Sequence, residues 1–140
     1  MAGFVNLLKL CVGAESVEDL AGWQAQRFGA GTPCHVTRMW PRREAEVLAG
    51  GSLYWVVKGL VLCRQRIVGL EERLGADGIT RCAIMLDAQI VRTEPMPKRP
   101  FQGWRYLAPE AAPPDLKPGR EAEGHLPRDL AAALAEIGLR

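Results

Sequence analysis

Cationic and aromatic side chains are interleaved in three places along this chain, and that mixture is the first chemistry the sequence offers. Arg38, Trp40, Arg42 and Arg43 fall within six residues, Tyr54, Trp55 and Lys58 follow, and Lys98, Arg99, Phe101, Trp104 and Arg105 form a third group. Guanidinium and ammonium groups neutralise phosphates while flat rings stack on unpaired bases, so the combination suits RNA or a nucleotide-like ligand. Arg is the better choice where a planar, two-pronged contact is needed. The expected binding set is Arg38, Trp40, Arg42, Arg43, Tyr54, Lys58, Trp104 and Arg105. In it the cations of Arg38, Arg42, Arg43 and Lys58 hold phosphates, and Trp40, Tyr54 and Trp104 offer stacking faces. The competing arrangement seals the tryptophans in the core and pairs the arginines with Glu44, Glu46, Glu71 and Glu72.

Nucleophilic chemistry has weaker support. Gly50-Gly51-Ser52-Leu53-Tyr54 fits Gly-x-Ser-x-Gly at four of its five positions. That motif needs a sharp strand-to-helix turn, whereas here the serine opens a strand. His35 or His125 would be the base for Ser52, and Asp87 the group that orients it. Cys34 beside His35 is the other pairing, but neighbours on a strand point to opposite faces, so the two cannot form a direct dyad there. A hydrolase acting on an ester or nucleotide substrate, using Ser52, Cys34 or His35, is therefore the alternative to a binding module without turnover. No cofactor is expected, because neither Gly-x-Gly-x-x-Gly nor Gly-x-x-x-x-Gly-Lys occurs.

The chain's 140 residues, 48% hydrophobic and 24% charged, suffice for one core but not two. No apolar run reaches the length of a membrane helix, so no membrane partner is expected. Cysteines at 11, 34, 63 and 82 contain no Cys-x-x-Cys pair, which argues against a structural metal. The N-terminal apolar stretch has no basic residues before it and no cleavage signal, so a cytoplasmic protein with reduced thiols is expected. Net charge is only +2, but residues 34 to 106 carry twelve Lys/Arg against seven Asp/Glu, while both flanks are slightly acidic. That asymmetry is compatible with one cationic face.

These residues need a scaffold. Phe4 to Val12 reads as a buried strand ending at Gly13. Ser16, with Asp19 three residues on, caps a helix from 16 to 28 that presents Leu20, Ala21, Trp23 and Phe28 and stops at Gly29-Ala30-Gly31. Cys34 to Trp40 reads as extended, and a short helix from 42 to 49 ends at Gly50-Gly51. Ser52 to Val68 is the strongest β signal, with a turn near Lys58-Gly59 that places Arg64 and Arg66 on one face by period two. A further β stretch runs from Arg81, turns near Asp87-Ala88 and resumes to Thr93. From Pro95 to Pro118 the chain is proline-punctuated, cannot sit in a central strand for long and reads as a wrapping segment. Pro127 opens a last helix whose Leu130, Leu134 and Ile137 form an apolar stripe suited to a protein partner's groove.

Four segments carry a resemblance: Lys9 to Gly13, Thr37 to Arg43, Gly50 to Gly59 and Arg99 to Tyr106. Together they resemble a family of small bacterial proteins known as a domain of unknown function, over Lys9 to about Asp115. The resemblance implies no established activity. Some members carry a lysophospholipase name, for which the imperfect serine motif supplies no chemistry. More distantly, the order of elements is similar to that of PUA-like and ASCH domains, small β-barrels associated with RNA or modified bases. The ASCH signature Gly-x-Lys-x-x-Glu-x-Arg, read from Gly51, meets Leu53, Val56 and Lys58, so only the last basic position is kept in kind.

The expected architecture is α+β: a small, bent, mostly antiparallel sheet or a PUA-like β-barrel, with flanking helices and a C-terminal helix. Residues 1–110 would form the domain, 111–126 a proline-rich linker or wrap, and 127–140 the terminal helix.

Overall fold

The computed structural model describes residues 3–116. In chain order the elements are β1 (Asn6–Leu10), α1 (Val17–Phe28), β2 (Cys34–Thr37), α2 (Glu44–Leu48), β3 (Ser52–Val57), β4 (Leu60–Leu74), β5 (Thr80–Leu86), β6 (Val91–Pro97) and β7 (Trp104–Leu107). A 3-10 turn at Pro109–Ala111 follows. The expected helix at 127–140, and the part of the wrap beyond Leu116, lie outside the described residues.

Local chemistry accounts for the boundaries. The Ser16 hydroxyl accepts the Asp19 N–H at 3.0 Å, satisfying one of the free donors at the start of α1. At its other end Gly29 takes φ 56° and donates its N–H to the Ala25 carbonyl. Between them Val17, Leu20 and Gln24 turn inward. Trp23, expected on the apolar face, stands about 100° round the helix from Gln24. It is 48% exposed, with the Arg27 guanidinium 4.9 Å from its ring centre.

The seven strands form a mixed sheet in the order β2-β5-β4-β3-β1-β7, with β6 also on β4. Every pairing is antiparallel except β1 with β3, where Leu7 lies beside Leu53. The β3–β4 turn falls at Lys58-Gly59 as its sequence requires, both residues having positive φ (50° and 83°). Strand β4 is 15 residues long. Its first half pairs with β3 and β6, and its second half with β5. A register shift between Ile67 and Gly69 marks the change, and such a bulge bends the strand.

The bend carries β5 and β2 over one face of the sheet. There Leu7, Leu53, Trp55, Cys63, Ile84, Leu86 and Trp104 make the main core with Val17 and Leu20 of α1 and Val47 of α2. His35 of β2 meets the Trp55 ring edge-on at 5.7 Å. The other face holds a smaller cluster, Leu8, Tyr54, Val56, Val61 and Leu107, packed by Met96, Phe101 and Ala112 from the returning chain.

Two expectations are corrected. The sheet does not close into a barrel: β2 and β7 end the strand order and do not pair with each other. The chain after β2 instead reaches β7 through a Met39 carbonyl accepting the Trp104 indole N–H at 2.9 Å. The segment from Pro95 stays out of a central strand, since among the described residues β6 pairs with β4 and no other named strand and ends at Pro97. Pro95 falls where the β4–β6 register shifts, and Lys98 rather than Pro97 donates to Gly59, so neither ring removes a needed ladder bond. Finally, Trp104–Leu107, within the expected wrapping segment, is a strand paired with β1.

Candidate functional site

The residues expected to bind a nucleotide divide into separate groups. One group gathers at the seam between the chain after β2 and strand β7. The Arg43 N–H donates to the Tyr106 hydroxyl at 3.1 Å, and the Arg43 guanidinium lies 5.2 Å from that ring's centre. Arg38, Trp40 and Arg42 are exposed there. Two of its polar groups are already engaged: Arg43 forms a two-pronged pair with Glu46 at 2.7 and 3.0 Å, and the Trp40 indole donates to Glu44. Trp104 belongs to this seam but is 5% exposed, its N–H spent on Met39, so its ring is not a free stacking surface.

Tyr54 and Arg105 lie on the opposite face of the sheet. Period two sends Tyr54 outward and Trp55 inward. Arg105 sits beside Leu8 in the β1–β7 pairing, its guanidinium 5.2 Å from the Phe101 ring centre. Lys58, in the β3–β4 turn, approaches Glu15 at 3.5 Å across exposed surface. The eight residues do not share one hollow.

A different set does converge. On the outer face of the sheet, Asn6 of β1, Ser52 and Tyr54 of β3, and Arg64 and Arg66 of β4 line a cleft of about 420 Å³. The register explains the grouping, because Tyr54 lies opposite Arg64 and Ser52 opposite Arg66. Phe4 and Gly50 border one end, and Pro109, Ala112, Pro113, Pro114 and Asp115 form the facing wall.

Asn6, Ser52, Arg64 and Asp115 are tied to one another in the cleft. The Ser52 N–H donates to the Asn6 side-chain oxygen at 2.9 Å, which fixes the carboxamide and turns its NH2 group the other way. The Ser52 hydroxyl accepts from Arg64 Nη1 at 3.0 Å. The remaining prongs of Arg64, Nε and Nη2, each meet an Asp115 carboxylate oxygen at 2.8 Å. That contact draws the Asp115 carboxyl below its ordinary pKa. Burial raises the Tyr54 phenol, against the opposing influence of Arg64, so the ring presents a neutral hydroxyl. Arg66 is exposed and has no ion-pair partner among the described residues.

Gly51 makes this geometry possible. A Cβ there would meet the Val5 carbonyl oxygen at 2.2 Å and the Val47 carbonyl oxygen at 2.7 Å, so only glycine lets β3 start this close to β1 and α2. The adjacent Ser52 is thereby set on the cleft floor. Sequence reasoning placed Arg64 and Arg66 on one face but did not count them as site residues, and Asn6 and Asp115 carried no local signal.

The arrangement suits holding an anion better than activating a nucleophile. The Ser52 hydroxyl accepts from a guanidinium, which cannot serve as a base. His35 packs on Trp55, across the sheet from Ser52, and burial with the nearby Lys9 charge lowers its pKa to about 4. His125 lies outside the described residues. Burial raises the pKa of the Cys63 thiol to about 12 and that of Cys82 to about 11, which leaves both protonated at neutral pH. Among the described residues, no helix is long and apolar enough to cross a membrane.

A family model described as "Protein of unknown function (DUF1489)" matches residues 7–140. No curated protein and no solved structure matches the chain.

Proposed function

Because the chain belongs to the DUF1489 family, whose description assigns no activity, we propose a function from the cleft itself: binding, without turnover, of a small nucleotide-like anion. The observation that carries this reading is the meeting of Arg64 and Arg66 with Ser52, Asn6 and Tyr54 at the edge of one cleft. A volume of about 420 Å³ is in the range of small-molecule sites. Arginine forks beside hydroxyl and amide donors offer what a phosphate accepts, and Phe4 and Tyr54 give the apolar border that a base requires. An extended RNA strand is less well served. The seam cations and the cleft cations lie apart, and at the seam Arg43 and Trp40 are engaged by Glu46 and Glu44. The guanidinium that donates to the Ser52 hydroxyl offers no base, which favours binding over hydrolysis.

Isothermal titration with AMP and with adenosine tests this. AMP is expected to bind at least tenfold more tightly than adenosine, and Arg66→Gln to remove most of that difference. Its affinity should also fall as salt rises. Equal affinity for the two compounds, or an unchanged AMP affinity in the Arg66 variant, would overturn the reading. Binding only of a long RNA oligonucleotide, undiminished by Arg66→Gln, would move the function to the Trp40–Tyr106 seam.

A further inference from the structure

The wall of the cleft brings its own anion. Residues 113 to 116 cross the open edge of β6, held there by the Glu94 N–H donating to Pro114, the Leu116 N–H donating to Arg92, and a bridge between Thr93 and Asp115. Among the described residues, the strap's only side-chain hydrogen bonds to the cleft are those of the Asp115 carboxylate with Arg64. Two parallel N–H···O bonds to a guanidinium are also what a phosphate would make at that position. Each nitrogen of the Arg64 guanidinium is thus engaged, while Arg66, two residues on along the same face, stays open to solvent.

We infer that Asp115 is a tethered competitor for the ligand's acidic group, and that a phosphate entering the cleft takes its place on Arg64 and frees the strap. The inference rests on the proposed anion site and adds its ligand class and its control. A carboxylate held beside its partner acts at high effective concentration, so a free monocarboxylate competes poorly. A terminal phosphate monoester competes well, because its charge and its three oxygens allow it to engage Arg64 and Arg66 together. The strap is suited to yield: among the described residues its backbone pairs with β6 alone, and its carboxylate is the more exposed member of the pair (44% against 24% for Arg64). No bond is made or broken in the exchange beyond these hydrogen bonds.

The test uses AMP as probe and two readouts on the full chain. Asp115→Asn should bind AMP about tenfold more tightly than the unaltered protein. In the unaltered protein, AMP should accelerate hydrogen exchange at the Glu94 and Leu116 amides, the two that tie the strap down. An Asp115→Asn variant that binds AMP equally or less tightly overturns the inference and leaves the anion site standing, provided the unaltered protein binds. Tighter binding with unchanged exchange at Glu94 and Leu116 also overturns it, since Asp115 would then act by charge alone. If neither protein binds AMP, the inference and the reading beneath it fail together. The exchange readout requires no variant, so it stands even if Asp115→Asn does not fold.

Discussion

Gln24 and Gln65 exchange two amide hydrogen bonds, at 2.9 and 2.8 Å, inside the main core. The Gln65 oxygen also accepts from the Trp55 indole at 2.9 Å, and its nitrogen donates to the Asp87 carbonyl at 2.9 Å. One carboxamide thus joins α1, β3, β4 and the break between β5 and β6, with all its hydrogen-bonding capacity used. No buried side-chain polar atom is left without a partner among the described residues. The network also sets which face of β4 turns inward, and so sends Arg64 and Arg66 out to the cleft.

Gln65→Leu should therefore destabilise the protein by on the order of 3 kcal/mol, because it orphans the Trp55 N–H and the Gln24 carboxamide in a dry interior. The urea midpoint measures this. A loss below about 1 kcal/mol, the ordinary worth of a single hydrogen bond, would show that water replaces the missing carboxamide.

Gly51→Ala is predicted to disturb the cleft as well as the fold. Its Cβ would collide with two backbone carbonyls rather than with flexible side-chain ends, and overpacking of this kind costs about 1–3 kcal/mol. The Ser52 and Asn6 amide resonances should shift, reporting displacement of the Ser52–Asn6 hydrogen bond. A variant with unaltered stability and spectra would contradict the tight packing of β3 against β1 and α2.

His35 should make stability depend on pH in a defined window. Burial, then the Lys9 charge, lowers its pKa in the native state from 6.5 to about 4. The unfolded chain takes up the proton first, so stability is whole above pH 6.5 and declines as pH falls toward 4, by up to about 3 kcal/mol. Urea midpoints at pH 7 and pH 4.5 should separate strongly for the unaltered protein and much less for His35→Phe. The paired carboxyls of Glu18 and Asp115, whose pKa values are lowered, titrate alike in both proteins and cancel. An equal decline in the two would exclude His35 as its source.

Much of the scaffold is legible in the chain. The Ser16 cap, the stop at Gly29, the Lys58-Gly59 turn and the pairing of Arg64 with Arg66 on one face all follow from contacts within a few residues. What fails depends on distant neighbours. Trp104 reads as a free aromatic until the Met39 carbonyl claims its N–H from 65 positions away. Tyr54 and Trp104 read as partners until the sheet places them on opposite faces. The same limit hid the cleft: Arg64 is completed by Asp115, 51 positions on, and no local pattern links a β-strand arginine to an aspartate between prolines.

A crystal structure of the protein with AMP tests the central claim most directly. The account predicts the phosphate within hydrogen-bonding distance of both Arg64 and Arg66, close to the Ser52 hydroxyl, with the Asp115 carboxylate withdrawn. AMP bound instead at the Trp40–Tyr106 seam, or an Arg64–Asp115 pair unchanged with the cleft empty at saturating AMP, would contradict it.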